Sequence, residues 1–448
     1  MNLSSKLGLL FLLAVHAPPV VADRPVGGNI TADDIWAIAD SPILVQADVY
    51  IGNSATLTIE PGVEVRFEGD YKLHVGIDDE PATLVARGTI TEPILFTSAS
   101  SSPAPGDWQS IWFSYSSVDA VLVGGEYQSG SILEHAIVEY GQEVLIHSSA
   151  PYLSACELRR MSTRGLSILT SSTGDPVTVR SCTIHDCDAG GDGGGAYISG
   201  GIGHSLRFTI ANCTAGEDGG GIYIVNADDC AIAIALLGNT AAGKGGGLYA
   251  VDCQNLSVGS GWFNGVYENT AGEGGGVYFE RCNDASLSRT RVANNHYSHV
   301  NGTTGGVFVH DSLRVSLVAV PGGVGSDWAN YIASNDGYQL FASNSASDPD
   351  SVLDARRVVW CTDDPDPLIY DDDEDPTLAA VLWNPVAQFG GDLTNDGKVD
   401  IGDLARLLSN YGTTSGATPE DGDFDADEDI DLGDLAYMLS RFGMTCGV

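Results

Sequence analysis

Basic residues are scarce in this chain. Its 448 residues carry 20 lysines and arginines against 60 aspartates and glutamates, a formal net charge of −40. Such a surface repels polyphosphates and anionic lipid, so neither nucleic acid nor an anionic membrane is expected as a partner. It suits divalent cations, or plain solubility in a salty medium. A membrane-spanning run is also missing. The apolar stretch Leu7 to Val15 is too short to cross a bilayer, so no membrane span is expected. Helical periodicity is absent from the middle of the chain, where apolar residues alternate over only four or five positions. No glycine-rich nucleotide loop stands between a strand and a helix, and no Cys/His pair has zinc spacing.

What is present is glycine, 56 residues of it, placed with a beat. The runs are Gly193-Gly194-Gly195-Ala196-Tyr197, Gly219-Gly220-Gly221-Ile222-Tyr223, Gly245-Gly246-Gly247-Leu248-Tyr249 and Gly274-Gly275-Gly276-Val277-Tyr278. A degraded fifth copy is Gly305-Gly306-Val307-Phe308. The aromatics recur at a nearly constant step, at positions 197, 223, 249, 278 and 308. Other positions keep the period: Met161, Cys187, Cys213 and Asn239 form one series, and Asn269 and Asn295 open equivalent turns. Each unit reads as a short strand, an Asn or Cys turn, a glycine corner and a second short strand. A fixed period of this size means stacked units. The fold expected is a right-handed parallel β-helix over 23–388, each coil about 4.8 Å above the last. Tyr197, Tyr223, Tyr249 and Tyr278 should then stand in single file.

The segment 1–22 reads as a secretory signal: Lys6 supplies the charge, Leu7 to Val15 the apolar segment and Val20-Val21-Ala22 the cleavage site. The mature chain is expected to be secreted, extracellular or at the cell surface, after cleavage near Ala22. Nine cysteines suit that compartment. Cys156 and Cys182, Cys187 and Cys213, and Cys253 and Cys282 fall one coil apart. They are either disulfides or an inward ladder of buried thiols. An odd total leaves at least one free or bonded outside the chain.

Thr56 to Phe67 and Gly106 to Phe113 resemble the opening coils of secreted parallel β-helix proteins of the pectin-lyase-like class. The glycine units of 182–308 resemble the repeats of polymorphic outer-membrane proteins, a class whose coils display binding or adhesive surfaces. Val358-Val359-Trp360-Cys361-Thr362, the acidic turn Asp371 to Asp375 and Trp383 are similar to the end segment of exported β-helices, here about 352–388. Cys361 stands where that pattern has glycine. The acidic turn reads as a solvated loop, with cation binding as the alternative.

Two segments of the tail match each other position by position, Asp392 to Asp403 and Asp423 to Asp434. Oxygen-bearing side chains fall at loop positions 1, 3, 5, 9 and 12, which is calcium-loop spacing. Each loop enters a short helical pattern that stops at Gly412 or Gly443. Residues 391–443 resemble a type I dockerin, a small EF-hand-like α-helical domain that folds around two calcium ions and docks on a cohesin partner. The resemblance implies Asp392, Thr394, Asp396, Lys398 (by its carbonyl), Asp400 and Asp403 as ligands of one ion. For the other it implies Asp423, Asp425, Asp427, Asp429 (by its carbonyl), Asp431 and Asp434. Thr394 is a poorer ligand than Asn or Asp. Glu428 takes the turn-glycine position. Ile401-Gly402 and Leu432-Gly433 replace the Ser-Thr pairs with which that family reads a cohesin.

No catalytic signature of a lyase or polygalacturonase is found. The soft candidates are Asp192, Asp218, Lys244 and Glu273, each just before a glycine corner, and His185-Asp186 beside Arg159-Arg160-Arg164. Two readings follow. One is an exported polysaccharide-associated β-helix protein, of the glycoside hydrolase or lyase class, with a calcium-binding dockerin-like tail. The other is a non-catalytic surface or adhesive rod anchored by that tail.

Overall fold

The computed structural model describes residues 23–171, 176–259, 265–299, 303–318, 330–362, 364–384, 390–394, 396–418, 421–424 and 427–446. The expected secretory leader and Asp425 lie outside the described residues.

Short strands from Arg24 to Tyr370 join one 30-stranded sheet whose pairings are parallel. Each strand hydrogen-bonds to those one coil away. Leu166–Leu169, Ala196–Ser199, Ile222–Val225, Leu248–Val251 and Val277–Glu280 lie one on the next without register slip. Val307 to His310, Leu340 to Ser343 and Ile369-Tyr370 continue the series. The chain is therefore mainly β and solenoid-like, as the periodicity implies.

Alternation sets the interior. Leu166, Ala196, Ile222, Leu248, Val277, Val307 and Leu340 point inward and are fully buried. Burying each large aliphatic side chain of such a column stabilises the stack by about 1.5–3 kcal/mol. The glycine corners have a specific cause. Gly219 has φ +69°, and the Gly221 amide donates to the Gly246 carbonyl at 3.0 Å. A Cβ on Gly220 would collide with the carbonyls of Gly246 and Thr240 in the coil above. Only a residue without a side chain allows the coils to approach so closely.

The Cys/Asn series becomes a buried polar ladder. Asn239 Oδ1 accepts from the Cys213 amide at 3.0 Å, and Asn239 Nδ2 donates to Asn269 Oδ1 at 2.9 Å. The same link, also at 2.9 Å, runs from Asn269 to Asn295 and from Asn295 to Asn335. Each amide group thus satisfies backbone that the turn would otherwise leave unpaired.

The expected aromatic file is present. Tyr197, Tyr223, Tyr249, Tyr278 and Phe308 are register partners. Phe341 and Tyr370 extend the file upward, and Tyr50, His74 and Trp112 occupy the same column lower down.

The tail holds two helices, α1 (Ile401–Asn410) and α2 (Leu432–Arg441). Asp400 and Asp431 are N-caps, and each forms a capping box with Asp403 or Asp434. Its own core is small: Leu393, Val399, Leu407, Ala417, Ile430 and Met438.

The cysteines resolve one alternative and add a bond that spacing did not suggest. Cys156, Cys182, Cys187, Cys213, Cys230, Cys253 and Cys282 are buried free thiols. Their thiols donate to backbone carbonyls, as Cys187 does to His185 at 3.5 Å and Cys213 to Ala211 at 3.4 Å. Cys361 and Cys446 form a disulfide, with Cα atoms 5.6 Å apart. Cys361 adopts a left-handed backbone, at φ +62°.

Candidate functional site

Three candidate regions are visible, and their geometry separates them. The first is the row of charged residues before the glycine corners. They do stack on one edge, but the Asp192 and Asp218 carboxylates each accept from a backbone amide. Asp192 Oδ1 accepts from the Asp218 amide at 3.1 Å, and Asp218 Oδ1 from the Lys244 amide at 2.7 Å. Burial, more than the Asp192 charge, moves the Asp218 carboxyl upward. Lys244 reaches Glu280, which also accepts from the Tyr249 hydroxyl at 2.7 Å. Burial alone would raise Glu280, but Lys244, Tyr249 and Arg281 outweigh it and hold its carboxyl near 2. The row is an internally matched ladder.

His185 is equally engaged. Its Nε2 lies 3.1 Å from Glu157 and its Nδ1 2.9 Å from Asp186. Arg159 bridges Glu157 and Glu139. These groups face outward on a strand surface, where none lines a described cavity. The aromatic file does not offer a sugar platform either. Tyr197 and Tyr223 stack at 5.2 Å between centroids, and Tyr278 and Phe308 at 4.4 Å. Arg164 covers the exposed end of Tyr197 at 4.6 Å. Several ring faces are thus spent on their neighbours.

The second region is a groove of about 710 Å³ on a different face. Its floor is built from outward positions in register, Arg180 at one end, then Arg207, Ala233, Gly259 and Ser288. Alanine and glycine make the floor shallow. Leu122 and Gly125, on and in the turn of the antiparallel hairpin of Val121–Val123 and Glu126–Ser129, wall one end. Arg289 stands at the other. Three of the chain's 20 basic residues line the groove, and none of its described lining residues is a carboxylate. Arg180 lies 3.8 Å from Glu126, while Arg207 is exposed and has no ion pair among the described residues. Sequence reading missed this groove because Arg207 falls one place off the beat counted from Arg180. The register slip that brings them into line shows only in the fold.

The tail loops are the third region. Asp403 and Asp434 are fully buried, and Asp392 and Asp423 nearly so. Asp403 accepts from the Thr394 amide at 2.9 Å and the Asp400 amide at 2.7 Å. Asp434 accepts from Phe424 at 2.6 Å and Asp431 at 2.8 Å. The first loop is turned by Asp392, which accepts from the Gly397 amide at 2.8 Å, and by Asp396, which accepts from Lys398 at 3.0 Å. Carboxylate oxygens of Asp429, Asp431 and Asp434 lie within 4.8 Å of one another. Among the described residues, Asp429 Oδ1 is buried without a hydrogen-bond partner. Its side chain, assigned no role from sequence, thus turns inward. Asp427 accepts from the Asp429 amide at 3.1 Å. Burial, then the neighbouring carboxylates, shifts Asp392 and Asp429 upward. Glu428 adopts φ +68°, the left-handed turn expected of a glycine there. Hard oxygen donors crowded this way suit a hard cation.

Residues 28–117 match the family model described as a pectate-lyase like beta helix domain. No curated protein and no solved structure matches the chain. The matched stretch covers the opening coils that carried the resemblance, and it ends before the groove. The acidic turn near the end of the stack is not fully solvated. Asp371 is buried and accepts from the Val381 amide at 2.7 Å, so it fastens the turn.

Proposed function

We propose that this chain is an exported, polysaccharide-binding β-helix protein held at its site of action by a calcium-binding tail. The observation that carries the reading is the groove, in which Arg180, Arg207 and Arg289 are gathered on a surface that is otherwise acidic. Such a floor suits an extended anionic glycan lying across successive coils, with its charges met by guanidinium groups. Carboxylate pairs are what glycoside hydrolysis requires, and the groove's described lining has none. Binding without cleavage is therefore the reading preferred over a hydrolase.

For the tail, the reading is two calcium ions held by the paired loops. Convergence of Asp429, Asp431 and Asp434 and the orphaned Asp429 oxygen support it. The ion would balance carboxylates that otherwise repel one another. A protein partner of the cohesin type is supported by a duplicated apolar surface. Ile401, Leu408 and Tyr411 are exposed, and so are Leu432, Leu439 and Phe442 at the matching positions. Apolar residues at the two recognition positions would favour a less polar partner surface than Ser-Thr pairs do.

The test is a binding titration with acidic and neutral polysaccharides in calcium, with reducing ends and unsaturated-uronate absorbance followed in parallel. Acidic glycans should bind, with affinity falling as salt rises. Arg207→Glu should weaken binding about tenfold, roughly 1.4 kcal/mol. Equal binding of neutral glycans, or bond cleavage, would overturn the reading.

A further inference from the structure

The two tail loops are backed differently, and the difference involves the disulfide. Behind the second loop lies the segment that follows α1. Gly412 donates to the Ile430 carbonyl at 2.9 Å, Ile430 to Thr413 at 2.9 Å and Ala417 to Glu428 at 3.0 Å. Behind the first loop lies the segment that follows α2. Gly443 donates to Val399 at 2.8 Å, Val399 to Met444 at 2.9 Å and Cys446 to Gly397 at 2.7 Å. Each loop's turn, positions 6 to 8, is thus strapped by the other half. The strap behind the first loop alone carries a covalent bond, Cys446 to Cys361.

That bond fixes the strap to the stack. Cys446 packs against a cluster of Ala293, Tyr331, Ala333 and Val359 on the outside of the coils. Cys361 Sγ lies 3.0 Å from the Tyr331 hydroxyl. The turn of the first loop therefore has one covalently held neighbour, only one hydrogen bond away from Gly397.

We propose that the Cys361–Cys446 bond sets the cation affinity of the first loop, making that site sensitive to the thiol–disulfide state of the surroundings while the second is not. A dithiol reductant would supply two electrons and two protons. It would leave two thiols here and become a disulfide itself. The released strap would stop pre-forming Gly397 to Val399, and the first loop would pay for its own ordering on binding the ion. The inference rests on the reading of the loops as calcium sites.

The experiment is calorimetric titration of the full chain with calcium chloride, oxidised, reduced by a dithiol, and as Cys361→Ser. Asp423→Asn in each background isolates the first site, and Asp392→Asn the second. Supports outside a metal's ligand shell are worth about 10–100-fold in affinity, so a loss in that range is expected at the first site only. Cys446→Ser should reproduce it, which guards against a local effect of Cys361→Ser on its turn. Unchanged affinity at the first site, or equal loss at both, overturns the proposal. Absence of calcium binding by the oxidised chain overturns instead the calcium reading beneath it.

Discussion

The stack and the tail solve the problem of cohesion in opposite ways. In the stack each coil presents its open edge to the next, so backbone hydrogen bonds and one continuous apolar core run its length, and the asparagine ladder joins the coils from Asn239 to Asn335. Some of its acids are matched locally, as Glu280 is by Lys244, Tyr249 and Arg281. The tail has a core of six buried residues and turns its acids toward each other. A unit of that size seldom holds itself without a staple. Repetition supplies stability in one region, and cross-links must supply it in the other.

The sharpest way to test that contrast is to remove divalent cations. EDTA should unfold residues 391–443 and leave the coils intact, because burial of repelling carboxylates is favourable only with the ion in place. Limited proteolysis should then cut between 391 and 443 while the coils stay resistant, and added calcium should restore protection. A tail equally resistant with and without calcium would erase the distinction.

How much of each region could be read beforehand follows from the same contrast. In the stack, side-chain identity repeats with the coil, so the glycine corners, the tyrosine file and the Asn239–Asn269–Asn295 ladder were legible in the spacing alone. The arginine groove was not, because the coils change length between Arg207 and Arg289 and the wall comes from a hairpin with no repeat. In the tail, the duplicated acidic loops and the helix starts were legible, since both are local. The Cys361–Cys446 bond joins residues 85 apart, and no period links them. The crossed straps, each half's trailing segment lying behind the other half's loop, were hidden for the same reason.

A second test probes whether the stack's cohesion lies between coils. Asn269→Ala removes the acceptor of the Asn239 amide and the donor to Leu236 and Asn295, all in buried positions. Leaving two or three such groups unpaired should cost about 3–5 kcal/mol. Thermal and denaturant unfolding should show the loss in the coil transition, with the tail's calcium response unchanged. A cost below about 1 kcal/mol would mean that core packing, and not the ladder, joins the coils.

The smallest expected effect is also the most discriminating, because its sign differs between the two regions. The Glu280 carboxyl is held near 2 in the folded stack, below the range of an unfolded glutamate. Its contribution is therefore complete above about pH 4.3 and is lost as pH falls toward 2, roughly 2–3 kcal/mol at most. Asp392 in the first tail loop is shifted the other way, chiefly by burial and then by Asp403 and Asp396. A raised carboxyl contributes stability that is complete below its unfolded pKa and is lost as pH rises through the folded one. The tail unfolded by EDTA should accordingly regain structure as the solution is acidified, while the stack loses resistance to denaturant. Glu280→Gln should be less stable than the parent at pH 7 and indistinguishable from it near pH 2. A gap that stays constant across that range would mean that Glu280 acts through its shape and not through its charge, and the stack's acids would then be no better matched than those of the tail.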